Sequence, residues 1–223
     1  MLIRHVGHAE FLIETESGYR MVTDPYDRQS GYPVYEIAAD ALLISHDHHD
    51  HNAAEFITGN PYLIRDEGLY TPSSGIHVTA LTGFHDAENG ARRGKTLLFR
   101  IEAEGLTIVH LGDLGCPLNP EQIQVLQKPD VLMIPAGGYF TITGRQARET
   151  AETLGARIIL PMHYKTDYNR DWPISGPEEF LEGYPEKQIV KNAEALRVTA
   201  GDMECQPHIV MFRQYTENTK DVR

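Results

Sequence analysis

The chain has 223 residues, is 41% hydrophobic and 23% charged, and carries a formal net charge of -12. That composition describes a globular chain able to bury a sizeable core and excludes a disordered or fibrous one. The acidic balance argues against a general nucleic-acid binder, which needs cationic surface to displace counterions from phosphates; a small anionic substrate stays possible where bound cations invert the local field.

In chain order, Phe11–Ile13 and Arg20–Thr23 are predicted as short strands joined at Ser17–Gly18, and Asp24–Pro25 ends the pattern. Ala41–Ile44 is wholly apolar and fits a strand buried on both faces. It leads into a histidine-rich stretch and then a short helix at Ala53–Phe56. Further strands are expected at His77–Leu81, Thr96–Ile101, Leu106–His110 and Val131–Ile134. Residues 144–154 place Ala147, Ala151 and Leu154 on one face, a helix stopped by Gly155. Arg157–Leu160 reads as a buried strand stopped by Pro161, residues 177–182 as a short helix, and Leu196–Val198 and His208–Phe212 as the last strands. No repeat or linker divides the chain, so one domain over 1–223 is expected. Strands early and helices later suggest sheets packed between helical layers.

Cys116 and Cys205 are two thiols far apart and make no disulfide framework. Met1–His5 shows no charged leader before an apolar run, and no stretch approaches the ~18 apolar residues of a membrane helix, so a cytoplasmic location is the default expectation.

The strongest signal is His46-Asp47-His48-His49-Asp50-His51, which holds four of the eleven histidines and directly follows a buried strand. In extended chain His46 and His48 share a side and can reach one metal. Asp50 and His51 come as the chain turns and point toward a second. Imidazole with carboxylate suits zinc, manganese or iron. His49 breaks this pairing and reads as a bystander. His85, Asp113 and His163 are further candidates, each following an apolar strand, and Asp113 could bridge two cations.

His46, His48, Asp50 and His51 form an H-x-H-x-D-H signature that resembles the metallo-β-lactamase superfamily, and the later motifs follow in that family's order over about residues 1–165. The resemblance implies an α/β fold, an αββα sandwich of two mixed sheets flanked by helices. It implies His85 as the third ligand of the first metal, Asp113 as the bridging carboxylate and His163 as the last ligand of the second. It implies Asp24 as an aspartate that supports the ligand loops without binding metal. Gly7-His8-Ala9 and Pro135-Ala136-Gly137-Gly138 resemble a branch that includes ascorbate-6-phosphate lactonase-like proteins and relatives of N-acylphosphatidylethanolamine phospholipase D. Nothing resembles the extra domain of the family's RNA nucleases, and the absence of an export signal speaks against β-lactam hydrolysis.

The expected function is a metal-dependent hydrolase in which two divalent cations (zinc, with manganese or iron as alternatives) share a hydroxide that attacks a small ester, lactone or phosphodiester. Asp50 is the expected catalytic residue, orienting the nucleophile and carrying a proton to the leaving group. The alternatives are a di-iron oxidoreductase or sulfur-handling enzyme, and a non-catalytic metal-binding module. The partner expected is a small molecule, with no nucleic acid and no membrane span.

Around this centre several residues carry two readings. Asp86 could orient His85, ligate weakly or face away; the supporting role is preferred. His8 and His110 read as supporting or core residues. Arg92, Arg93 and Lys95 could clamp a substrate phosphate, but a solvated hairpin tip is the simpler reading. Lys165 has the same two readings. Cys116 is a small buried hydrophobe or an oxidisable thiol near the metals. Gly137–Phe140 could bring backbone and aromatics to the site or be a plain turn. Tyr168, Trp172 and Phe180 belong to an expected pocket-closing segment.

Overall fold

The structure, a computed structural model, describes residues 1–201 and 208–216; Cys205 lies outside the described residues. In chain order the elements are β1 (Leu2–Gly7), β2 (Glu10–Glu14), β3 (Arg20–Thr23), β4 (Ile37–Ala38), β5 (Ala41–Leu43), β6 (Ile57–Thr58) and β7 (Tyr62–Ile64). Then come β8 (Gly68–Ser73), β9 (Ile76–Phe84), β10 (Lys95–Ala103), β11 (Leu106–His110), α1 (Pro120–Leu126), β12 (Val131–Pro135) and α2 (Gly144–Leu154). The last are β13 (Ile158–Met162), α3 (Glu178–Leu181), β14 (Ile189–Ala193), β15 (Leu196–Arg197) and β16 (His208–Phe212).

The strands form a six-stranded sheet, β15-β1-β2-β3-β5-β7, an eight-stranded sheet, β14-β16-β13-β12-β11-β10-β9-β8, and the small pair β4-β6. Side chains alternate along a strand, so an unbroken apolar run needs a packing partner on each face. On β12, Val131 and Met133 enter one apolar cluster while Leu132 and Ile134 enter another. On β5, Leu43 faces the first cluster and Leu42 a third. The first cluster fills the space between the sheets, with Phe11 and Met21 meeting Phe99 and Leu160. The second lies under the helices, where Leu126, Ala147, Leu154 and Phe180 pack on the eight-stranded sheet. The third covers the far face of the six-stranded sheet, where Tyr26, Tyr32 and Ile37 pack over Leu12 and Val22, and the helical layer shrinks to a 3-10 turn at Arg28–Ser30.

Helix α2 begins at Thr143, whose hydroxyl accepts the Gln146 N–H in a reciprocal capping box, and ends at Gly155 with φ 67°. At β13 the expectation needs correction, because the strand does not stop at Pro161 but runs through it to Met162. Neighbouring β16 pairs only with Ile158 and Ile159, so the imino nitrogen lies beyond the stretch β16 pairs. The expected helix at Ala53–Phe56 is a single 3-10 turn, Ala54–Phe56. Among the described residues no helix is long and apolar enough to cross a membrane.

Strand direction decides where function can sit. β1 and β3 both run antiparallel to β2, and β5 is parallel to β3, so β1, β3 and β5 point the same way. Likewise β9 and β11 are both antiparallel to β10, and β12 and β13 run parallel to β11. The chain therefore leaves seven strands at one rim. His8, Asp24, Ser45–His51, His85, Asp113, Ala136–Phe140 and His163 all follow those strand ends.

Candidate metal centre

At the rim the polar side chains converge on Asp113. The Nε2 atoms of His85 and His163 each lie 3.1 Å from Asp113 Oδ2, and His51 Nε2 lies 3.3 Å from Asp113 Oδ1. His46 Nε2 is 3.9 Å from Asp113 Oδ2 and 3.0 Å from His48 Nδ1. Three overlapping donor groups result: His46, His48 and His85; His46, His51 and Asp113; and His8, Asp50, His51 and His163, with the donor atoms of each within 4.8 Å of one another. A cluster of His and Asp donors this tight is able to hold metal. The chemistry of its atoms fits one too, because His51 Nε2 and Asp113 Oδ1 are buried with no hydrogen-bond partner. Buried polar atoms left unsatisfied are costly, and a cation between them would satisfy both.

The far nitrogens show how the rings are held. Asp24 follows β3 and is fully buried. It accepts the Ser45 N–H at 2.7 Å, the Ser45 hydroxyl at 2.6 Å and the His51 Nδ1–H at 3.0 Å. Since the Ser45 proton is spent on Asp24, the Ser45 oxygen can only accept from His46 Nδ1, 2.9 Å away. One carboxylate thereby fixes the tautomer of two histidines, leaving both Nε2 lone pairs toward the centre. His85 is fixed by donating from Nδ1 to the Phe140 carbonyl at 3.1 Å. Ser45 was not among the residues expected from sequence; of the two readings of Gly137–Phe140, the structure has the one in which backbone reaches the site, through the Phe140 carbonyl. His8, Asp24 and His163 all have φ between 40° and 52°. Asp and His tolerate this left-handed region better than most residues, and such backbone clusters at functional sites.

The electrostatics suit a cation. Burial pushes His46 down to about 3, assisted by the charge of His51, and His8 down to about 4, assisted by His163. Burial lowers His48 as well. Neutral imidazoles keep the lone pair a metal needs. Burial alone would raise Asp50 and Asp113, but the surrounding histidines prevail and hold both carboxyls well below the ordinary range. Burial would also lower His51, yet the Asp113 and Asp50 carboxylates outweigh it and push its pKa well above 6.5. A proton on His51 and a cation in the centre therefore compete for one lone pair.

The other sequence candidates separate. His8 donates from Nε2 to Asp50 at 3.0 Å and so sits inside the cluster. His110 donates to the Ala9 carbonyl and accepts the Gly112 N–H, which occupies both ring nitrogens away from the centre. His49 is exposed and bonded to Asp27. Asp86 is a correction: it does not orient His85. Its carboxylate accepts the backbone N–H groups of Glu88, Gly90, Arg92 and Arg93 at 2.8–3.0 Å. Desolvation would raise its pKa, but the four N–H donors together outweigh it and bring it down to about 2. Cys116 is half-buried, its thiol raised by burial and directed at the Phe84 carbonyl, 4.0 Å away. Lys165 is half-buried and does not line the cavity above the centre.

That cavity measures about 430 Å³. His48, Asp50, His85, Asp113 and His163 face it from the cluster, and Gln29, His49, Arg93, Phe140, Asp171, Trp172 and Pro173 line the rest. Of the aromatics expected here, Phe140 and Trp172 reach the cavity. Tyr139 is 69% exposed, Tyr168 stacks on Tyr32, and Phe180 is buried under the helices. Gly137 lets the backbone pass close to the site, since a Cβ there would collide with the His163 carbonyl oxygen.

A beta-lactamase superfamily domain profile matches residues 2–163. The UPF0173 metal-dependent hydrolase of Caldivirga maquilingensis is 30% identical over 191 residues, 74% of this chain and 82% of that one. The corresponding protein of Thermococcus kodakarensis is 28% identical over 207 residues, 80% and 89% of the two chains. A crystal structure from Thermotoga maritima, named as a candidate Zn-dependent hydrolase of the metallo-beta-lactamase superfamily, has a TM-score of 0.78 and 32% identity, covering 95% of this chain and 99% of that one. Since the matched segment runs from β1 to His163, the last of the clustered histidines, the chain belongs to the metallo-β-lactamase superfamily, as one of its metal-dependent hydrolases.

Proposed function

We propose that the chain hydrolyses a small ester, lactone or phosphodiester at a dinuclear centre. In this reading His46, His48 and His85 would hold one divalent cation and Asp50, His51 and His163 the other, with the Asp113 carboxylate within reach of both histidine sets. The observation that carries it is that the donor groups share His46 and His51, both beside Asp113, with His51 Nε2 and Asp113 Oδ1 buried and unpartnered. Zinc is the first choice of metal, in line with the name of the Thermotoga relative; manganese and iron suit the same donors.

Two divalent cations would polarise the scissile group and lower the pKa of water from ~15.7 toward neutrality. The chain's own residues do the rest. Asp50 lines the cavity and is held in place by the His8 N–H, so its carboxylate can orient the attacking water. Water adds across the scissile bond: its oxygen goes to the acyl or phosphoryl centre, and a proton must reach the departing oxygen. Asp50 is placed to take that proton and deliver it. Phe140 and Trp172 supply apolar walls that limit competing water.

The test is metal content per chain by plasma mass spectrometry, on untagged protein purified without chelator, followed by a panel of chromogenic esters, lactones and phosphodiesters. About two equivalents of metal and chelator-sensitive turnover are expected. No metal after reconstitution would overturn the reading.

A further inference from the structure

We propose that the cavity selects substrates bearing a small oxyanion, a phosphate or carboxylate, which Arg93 binds while Phe140 and Trp172 pack against the rest of the molecule; this names the substrate class of the hydrolase reading and rests on it. Three observations converge on Arg93. The first is its isolation from other charges. Among the described residues no carboxylate lies within ion-pair distance of it. Its neighbours in sequence are engaged or remote: Arg92 pairs with Glu88 at 2.7 Å on the surface, and Lys95 is exposed at the start of β10. In a chain of net charge -12, a half-buried guanidinium lining the cavity with no carboxylate partner is notable.

The second is how the side chain is held. The guanidinium carbon lies 4.3 Å from the centre of the Phe140 ring. The ring face attracts the cation, and among the described residues the guanidinium N–H donors make no hydrogen bond, which leaves available the donors that match an oxyanion. The third is the loop beneath it. The Asp86 carboxylate accepts the N–H groups of both Arg92 and Arg93 and two more, so the loop that carries Arg93 is braced. Phe140 also fixes His85 through its carbonyl, so one residue links the stacked guanidinium to the cluster.

The remaining charges facing the cavity do not cancel Arg93. Asp50 and Asp113 belong to the histidine cluster, and Asp171 is exposed at the edge. An anion docked on Arg93 would thus sit beside the aromatic side chains, with its scissile bond free to reach the cluster.

Trp172 is the only tryptophan in the chain and lines the cavity, so its fluorescence reports occupancy. Metal-loaded protein is titrated with phenyl phosphate, benzoate and neutral benzamide, for the wild type, Arg93→Met and Arg93→Lys at matched metal content. Equilibrium dialysis gives the same affinities independently of fluorescence. The wild type should prefer at least one anion over benzamide, and Arg93→Met should cut that anion's affinity about ten- to hundredfold with benzamide unchanged, the loss expected for a charge-assisted hydrogen bond. Arg93→Lys should recover part of it. Tighter binding of phenyl phosphate assigns a phosphate-bearing substrate, and tighter benzoate a carboxylate. An anion preference that survives Arg93→Met, or an equal loss for benzamide, would overturn the proposal, the second by reducing Arg93 to packing on Phe140. Because binding is read without turnover, Arg93-dependent anion binding with no hydrolysis of any ester, lactone or phosphodiester would instead sink the hydrolase reading.

Discussion

Replacing Ser45 by alanine removes one oxygen that makes two contacts. The hydroxyl donates to Asp24 at 2.6 Å and accepts from His46 Nδ1 at 2.9 Å. Asp24 keeps two of its three partners, the Ser45 N–H and His51, so His51 should stay in place. His46 loses the group that decides its tautomer. A ring that carries its proton on Nε2 cannot present that lone pair to a cation. Loss of an outer hydrogen-bond partner of a ligand histidine costs about ten- to hundredfold in metal affinity. That is about 1.4–2.8 kcal/mol. The loss should fall on the His46, His48 and His85 half. Competition with a chromophoric chelator, at one and two equivalents of zinc, would read the two affinities separately. Thermal melts of metal-stripped wild type and variant would show how much of the change is lost folding stability. Unchanged affinity for both equivalents would refute the tautomer argument. A large loss confined to the half that holds His51 would refute the assignment of Ser45 to His46.

Other consequences can be measured as directly. Glu10 is buried, and burial first, then the charge of Asp24, push its pKa well above 4.5 against the opposing Tyr26 N–H. The folded chain therefore keeps a proton that the unfolded chain releases. Stability from this group is full below about pH 4.5 and is lost as pH rises through the folded pKa, by up to about 1.4 kcal/mol per pH unit. Glu10→Gln should flatten that decline in urea titrations from pH 4 to 9 and raise stability at the alkaline end; a parallel decline would sink the assignment. Gly137→Ala drives a methyl into the His163 carbonyl, so a loss of about 1–3 kcal/mol together with reduced metal content is expected. Thr143→Ala removes the cap of α2 and should cost about 1 kcal/mol in chemical denaturation while metal content stays the same.

The dense histidine motif was readable because it sets imidazoles and carboxylates, the side chains able to hold metal, close together directly after a buried strand. Helix α2 was readable because its apolar face and terminal glycine agree. What sequence hid was mostly carried by backbone groups. The Phe140 carbonyl that holds His85 leaves no trace in side-chain identity, and Ser45 looks like any serine before a histidine. Strand β1 was missed because Arg4 and His5 interrupt its apolar pattern, although Arg4 is buried and His5 stacks on Phe11. Strands β7, β8 and β14 bury almost none of their residues fully and show no clean apolar alternation. Helix α1, by contrast, carried a readable signal, Asn119-Pro120 with Gln122, a capping box with proline in the first turn. Asp86 was misread because adjacency to His85 suggested contact, whereas the chain turns there and the carboxylate faces its own loop.

The common rim has one more consequence. His46, His48, Asp50 and His51 come from the six-stranded sheet, and His85, Asp113 and His163 from the eight-stranded one. Few direct bonds join the two sheets at that edge, among them Leu97 N–H to the Ser45 carbonyl and His163 N–H to the His8 carbonyl. On the proposed assignment a bound cation would act there as a clasp between two halves, and each tenfold excess of free metal over its dissociation constant would add about 1.4 kcal/mol to the folded state. Metal supply would then bear on protein lifetime: without the ion the jaw would be unlatched, and proteolysis is expected to begin at that edge.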